Sequence, residues 1–148
     1  MAGYSGTPLA TKLGINAGHT VGVINAPDHF AGLVEPLPEA VTVVAGVRSR
    51  RDVVVAFFVR RRELEQKLAA MTKAVFPAGA IWIAWPKRAA KVPTDITEDV
   101  VRAVALPTGL VDNKVCAIDE VWSGLRLVVR KELRGAPELR PEPVADSA

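Results

Sequence analysis

Apolar residues gather in short unbroken runs, and the stretches between several of these runs repeat with a helical period. The runs are TVGVINA from Thr20, VTVV from Val41, DVVVAFFV from Asp52 and IWIAW from Ile81, followed by KVCAID and LRLVVRK. DVVVAFFV and IWIAW are apolar at successive positions, which predicts strands covered on both faces, as in the middle of a parallel sheet. Between them Leu64, Leu68, Met71 and Val75 recur at helical spacing, and Glu63 and Lys67 stand four apart, where an ion pair supports a helix. PAGA, from Pro77, breaks that helix.

Three further helices follow from end signals. TPLATKLG offers Thr7 as a cap, Pro8 at the first helical position and Gly14 as a left-handed stop. A second helix begins near Pro27 and buries Phe30, Leu33 and Val34. In TDITEDVVRAVALPTG, Asp95 and Glu98 suit an acidic capping box, Ile96, Val100 and Val104 make the buried stripe, and Pro107 and Gly109 end the helix. KVCAID and LRLVVRK, joined by EVWSG, form an antiparallel hairpin, with Arg126 and Arg130 on a wet face.

Strands alternating with helices predict a three-layer, Rossmann-like α/β fold, with a mostly parallel sheet of about six strands closed by the C-terminal antiparallel hairpin. One link is short for that plan. Only GVRSRRD, residues 46–52, joins VTVVA to VVVAFFV, and a crossover helix needs about a dozen residues. Extended, the link spans about 23 Å, enough to run back along a strand of about 17 Å. The Val41–Ala45 strand is therefore placed parallel at an edge, with an antiparallel arrangement as the alternative. The domain is expected over residues 1–133, and the proline-rich, small and charged residues 134–148 read as a disordered tail.

The pattern from DVVVAFFV through PAGAIWIAWPK to LVDNKVCAIDEVWSGLRLVVRK resembles the second half of a class I SAM-dependent methyltransferase, shortened here. It covers roughly two-thirds of the chain and implies a fold rather than an activity. GYSGTPLATKLGI, VINAP, WPK, TDITEDVVR and VCAIDEVWSGLRLVVRK together resemble the bacterial family called domain of unknown function 3052, from Gly3 to about Glu132. That resemblance implies a Rossmann-like domain and supplies no activity.

Composition narrows the chemistry. The chain has 148 residues, 49% of them hydrophobic, and a formal charge of +3. That balance is globular, and the charge is small for a dedicated nucleic-acid binder. Arg48, Arg50 and Arg51 precede the Asp52 strand and Arg60, Arg61 and Arg62 leave it, at opposite ends and diluted by Asp52, Glu63 and Glu65. Nucleic-acid binding is therefore a second alternative only. The single Cys116 excludes an internal disulfide and a cysteine-cluster zinc site, and in VCAI it reads as a small buried hydrophobe. MAGYSGTP lacks the regions of a signal peptide, and no apolar run is long enough to cross a bilayer, so a cytoplasmic protein is expected.

In TVGVINAPDHF the strand-to-helix junction lacks the glycines that bring backbone N–H groups against phosphate. Gly22 lies inside the strand, Pro27 has no N–H, and Asp28 adds negative charge; Asp28 suits the positive end of a helix dipole. The glycine-rich loop of methyltransferases belongs at this junction too, so no cofactor is expected. Ligands of open α/β sheets sit beyond the carboxyl ends of the strands. The groups delivered there are Asn25, Asp28, Arg60, Trp85 and Lys87, with Arg60 and Lys87 to hold an anion and Trp85 as a stacking wall. The alternative for these residues is plain packing and pairing of the cations with Asp95 and Glu98.

An acid-base set of Asp28, His29 and Asp95 needs contacts that spacing does not establish, and His19 lies at the other end of the first strand, too far to share a metal with His29. WSGL, in the hairpin, is no nucleophile elbow. YSGT, from Tyr4, reads as a small-residue turn. No catalytic or metal-binding residue is assigned. The leading expectation is a non-catalytic small-ligand-binding or regulatory module, taking a small anionic ligand or a protein partner. The alternative is a SAM-dependent methyltransferase-like enzyme with an atypical cofactor site. No membrane partner is expected, and an edge strand with three tryptophans is compatible with a homo-oligomer.

Overall fold

The computed structural model describes residues 7–135. Its strands are β1 (Thr20–Ile24), β2 (Thr42–Ala45), β3 (Val53–Phe57), β4 (Ala80–Pro86), β5 (Leu110–Ala117) and β6 (Trp122–Val129). They form one sheet in the order β2-β1-β3-β4-β6-β5. β2, β1, β3 and β4 are parallel, and β6 runs antiparallel to both β4 and β5. Helices α1 (Leu9–Lys12) and α2 (Phe30–Val34) cover one face; α3 (Arg61–Val75) and α4 (Glu98–Ala105) cover the other. The three-layer, mostly parallel fold read from the sequence is the observed one.

The apolar runs behave as expected at the centre. Every residue of β3 and β4 is buried. Side chains alternate between two cores: Val54, Ala56, Ile81 and Ile83 meet Leu64, Leu68 and Met71 of α3, while Val55, Phe57 and Trp82 meet the α1–α2 layer. Trp82 donates from Nε1 to the Leu13 carbonyl at 2.9 Å, which ties α1 to the sheet. Phe57 stacks edge-on against both Phe30 and Trp122, with centroids 5.6 and 5.1 Å away.

The short link 46–52 contains no helix, yet β2 pairs in parallel with β1, Thr20 opposite Thr42, and the antiparallel alternative falls. Gly46, at φ +79°, turns the chain back. The link then lies on the α3 side of β1, where buried Arg51 crosses Gly22 and donates from Nε to the Gly46 carbonyl. A Cβ on Gly22 would stand 2.7 Å from that carbonyl and 2.9 Å from Arg51 Nε. The glycine of β1 thus makes room for the link, a packing reason unconnected with phosphate.

Several local expectations change. Helix α1 begins at Leu9, with Pro8 rather than Thr7 at the cap position. Thr97, not Asp95, caps α4, accepting from Val100 N at 3.2 Å. The fully buried side of α4 carries Val101 and Ala105, with Val100 and Val104 half-buried on its flank. Glu63 does not pair with Lys67; it accepts a bond from Asn25 instead. Trp122, Ser123 and Gly124, read as link, belong to β6, where they pair with Pro86, Trp85 and Ala84 of β4, and a side chain on Gly124 would press against Trp82 and Ile118 at 3.1 Å. Arg134 Nε donates to the Val129 carbonyl, and residues 136–148 and Tyr4 to Gly6 lie outside the described residues.

Candidate functional site

All four parallel strands end on one edge, and the loops above it divide into two corners. The first lies where the chain order reverses, between β1 and β3, the usual ligand crevice of such sheets. Asn25 ends β1 in the left-handed region, at φ +56°, which asparagine tolerates better than most residues. From there its Nδ2 donates to the Phe57 carbonyl at 3.0 Å and to Glu63 Oε2 at 3.2 Å. The side chain bridges β1, β3 and α3, and both contacts are internal to the protein. Asp28 is exposed beside it. The N-terminus of α3 is also occupied: Asp95 Oδ1 accepts from Arg61 N at 2.6 Å, while Thr94 Oγ1 donates to the Val59 carbonyl.

The second corner lies above β4. A cleft of about 420 Å³ opens between the end of β4, the 3-10 turn Arg88–Ala90 and the start of α4. Trp85, Val92 and Ile96 form its apolar walls, and Lys87, Arg88, Thr94 and Thr97 its polar rim. The two threonine hydroxyls already accept backbone N–H groups. Neither cation is neutralised among the described residues, since Glu98 pairs with Arg102 and Asp95 caps α3. Trp85 is only 7% exposed, and its indole N–H has no acceptor among the described residues. Buried donors are seldom left so, because an unmade bond costs about 1–3 kcal/mol.

Of the residues named from sequence, Trp85 and Lys87 line this cleft, and Asn25, Asp28 and Arg60 do not. Arg60 is exposed at the start of α3, and Arg88 lines the cleft beside Lys87. Asp28, His29 and Asp95 form no common site in the hydrogen-bond pattern. His29 Nε2 instead meets Asp119 Oδ2 at 2.8 Å. Asp119 also accepts from Val121 N and Trp122 N, in the manner of an Asx turn, and was missed because it pairs across 90 residues. Burial pushes the Asp119 carboxyl up, but the His29 ring and the two backbone donors outweigh it and hold it below the usual carboxylate value. His19 accepts from Asn16 N ahead of β1. Half-buried Cys116 has its thiol pushed up by burial against a smaller pull from Lys114 and Lys12, which disfavours a thiolate. No cluster of metal-ligating side chains occurs among the described residues, and no helix among them is long and apolar enough to cross a membrane.

No protein-family model and no curated protein sequence matches the chain, so the resemblance to domain of unknown function 3052 has no family model behind it. Solved structures do match. A SAM-dependent methyltransferase from Aquifex aeolicus superposes with a TM-score of 0.59 at 13% identity, over 82% of this chain and 88% of that one. Magnesium protoporphyrin IX methyltransferase from Synechocystis PCC 6803, with bound SAH, gives 0.55 at 10% identity, over 82% and 78%. An O-methyltransferase of neocarzinostatin biosynthesis, in complex with SAM, gives 0.59 at 14% identity, over 86% of this chain and 53% of its own length. The fold is therefore that of class I SAM-dependent methyltransferases.

A nucleoside cofactor of the kind these neighbours carry does not fit the β1–β3 corner as built. Asn25 spans the crevice, Pro27 has no N–H to offer, and α2 after it has only five residues. Rossmann-type sites also place an acidic residue about 20 positions beyond the glycine loop to hold a ribose. Here β2 ends instead in Ala45, followed by Gly46 and Val47.

Proposed function

We propose that this chain is a ligand-binding domain that takes a small anionic molecule in the cleft between Trp85 and Lys87. The observation that carries the reading is the cleft's chemistry: two unneutralised cations and an unpaired indole N–H beside an apolar wall. Lys87 and Arg88 supply charge for a phosphate or carboxylate, Trp85 an apolar edge and a donor, and Val92 and Ile96 a dry side. The role needs no catalytic group.

A second reading, a SAM-dependent methyltransferase-like enzyme with an atypical cofactor site, rests on the fold. The likeness to solved methyltransferases favours this enzyme reading more than the non-catalytic one. The bridged crevice favours the non-catalytic one. A thermal-shift panel of adenosylmethionine, nicotinamide dinucleotides, nucleotides and phosphorylated metabolites separates them. A ligand at one hundred times its dissociation constant stabilises the fold by about 2.7 kcal/mol. The expected result is stabilisation by a phosphorylated metabolite that disappears in Lys87→Ala and survives in Asn25→Gly. Stabilisation by adenosylmethionine that disappears in Asn25→Gly or Asp28→Ala supports the enzyme instead.

A further inference from the structure

The missing crossover helix leaves a gap in the α3 layer. A parallel β2–β3 connection in this fold ordinarily carries a helix that covers the sheet beside α3. Here the link 46–52 passes with no helix, and a groove remains between it and the flank of α3. Two cavities of about 390 and 410 Å³ adjoin at Val47 and Ala70, end to end along a trough beside α3. Its α3 wall, from Gln66 to Ala74, is about 12 Å long at 1.5 Å per residue, a little over two helical turns, with Phe76 just beyond it.

The trough has an apolar floor and a basic rim. Ile24, Val47, Ala70 and Phe76 contribute the floor. Arg48, Arg50, Lys67 and Lys73 contribute the rim, and no carboxylate lines either cavity. None of these cations forms an ion pair among the described residues, and the acid placed to neutralise Lys67, Glu63, is turned toward Asn25.

The geometry points to a protein–protein docking site on this face that accepts an acidic amphipathic helix from a partner, seated where the crossover helix would lie. Apolar side chains of the partner enter the floor, as in other helix-in-groove complexes, and its carboxylates meet the rim. A nucleic-acid backbone would match the charge but leave the apolar floor exposed. The site is separate from the Trp85 cleft and holds whether or not that cleft binds a ligand.

The probe is a labelled, end-blocked peptide of about 18 residues, long enough for a marginally stable helix, with leucine at helical spacing and glutamate elsewhere. Its binding to the full chain is read by fluorescence anisotropy, beside a peptide with lysine for glutamate and a random DNA duplex. The expected result is salt-sensitive binding of the glutamate peptide alone, weakened roughly tenfold or more by Lys67→Glu with Lys73→Glu. That reversed pair then prefers the lysine peptide, and Ala70→Trp, which fills the trough, weakens both. All three positions have side chains on the groove rather than in the buried core, so circular dichroism is expected to be unchanged. No binding by the glutamate peptide, binding that the variants leave unchanged, equal binding of the duplex through the same residues, or self-association through the trough would each overturn the proposal.

Discussion

Above β1 and β3 the carboxyl edge of the sheet is closed by the protein's own side chains, whereas above β4 the same edge is open. At the first corner the Asn25 amide binds Phe57 and Glu63 and Asp95 binds the first amide of α3, while Asp28 and Arg60 stand exposed. At the open corner Lys87, Arg88 and the Trp85 indole have no partner among the described residues. One sheet edge thus carries two corners, one with an amide and a capping carboxylate bonded within the protein, the other with two cations and an indole N–H unpaired among the described residues. Fold likeness to methyltransferases does not distinguish the corners; the hydrogen bonds do.

The comparison breaks first at Gly22. If its role is to admit Arg51 and the Gly46 carbonyl, Gly22→Ala costs about 3 kcal/mol of stability by chemical denaturation, because a backbone oxygen 2.7 Å from the new Cβ has little room to move. A stable Gly22→Ala protein would remove the packing account. Asn25→Ala is next, at about 2 kcal/mol, from the lost hydrogen bonds and from a Cβ residue at positive φ without asparagine's local bonding. Asn25→Gly separates the terms, recovering the backbone part alone.

Asp119→Ala is expected to cost about 1–2 kcal/mol near neutral pH, mostly through the amides of Val121 and Trp122. His29 is 58% exposed and adds little as an ion pair. Because the folded carboxyl titrates below its unfolded value, its stabilisation is complete above the ordinary carboxylate range and fades as pH falls through the lowered folded value. Denaturation curves of the two proteins are therefore expected to converge in acid; a gap that widens there would contradict the pairing. The smallest effect on stability belongs to Lys87→Ala, within about 0.5 kcal/mol, since its side chain has no partner to lose among the described residues. A large loss would mean that the open corner is structural after all.

Much of the fold was legible because its signals are local. Continuous apolar runs marked β3 and β4 as central, helical spacing marked α3, and the length of the 46–52 link placed β2 at an edge. The closed corner was not legible, because its bonds join residues 32 to 38 positions apart and reassign side chains that local rules would use otherwise. Asp95 looks like the cap of the helix that follows it and caps the helix before it. Glu63 sits at pairing distance from Lys67 along a helix and serves Asn25. The open corner was half legible: Trp85 and Lys87 stand at a strand end, but Arg88, from a 3-10 turn, lines the cleft and Arg60 does not.

Backbone and indole N–H chemical shifts, followed by NMR while inorganic pyrophosphate and then adenosylhomocysteine are titrated in, report directly on which corner takes a ligand. Shifts gathered at the Trp85 indole, Lys87, Arg88 and Thr97 are the predicted outcome. Shifts confined to Gly22, Asn25, Ala26 and Val59, with the Trp85 indole unmoved, would contradict it.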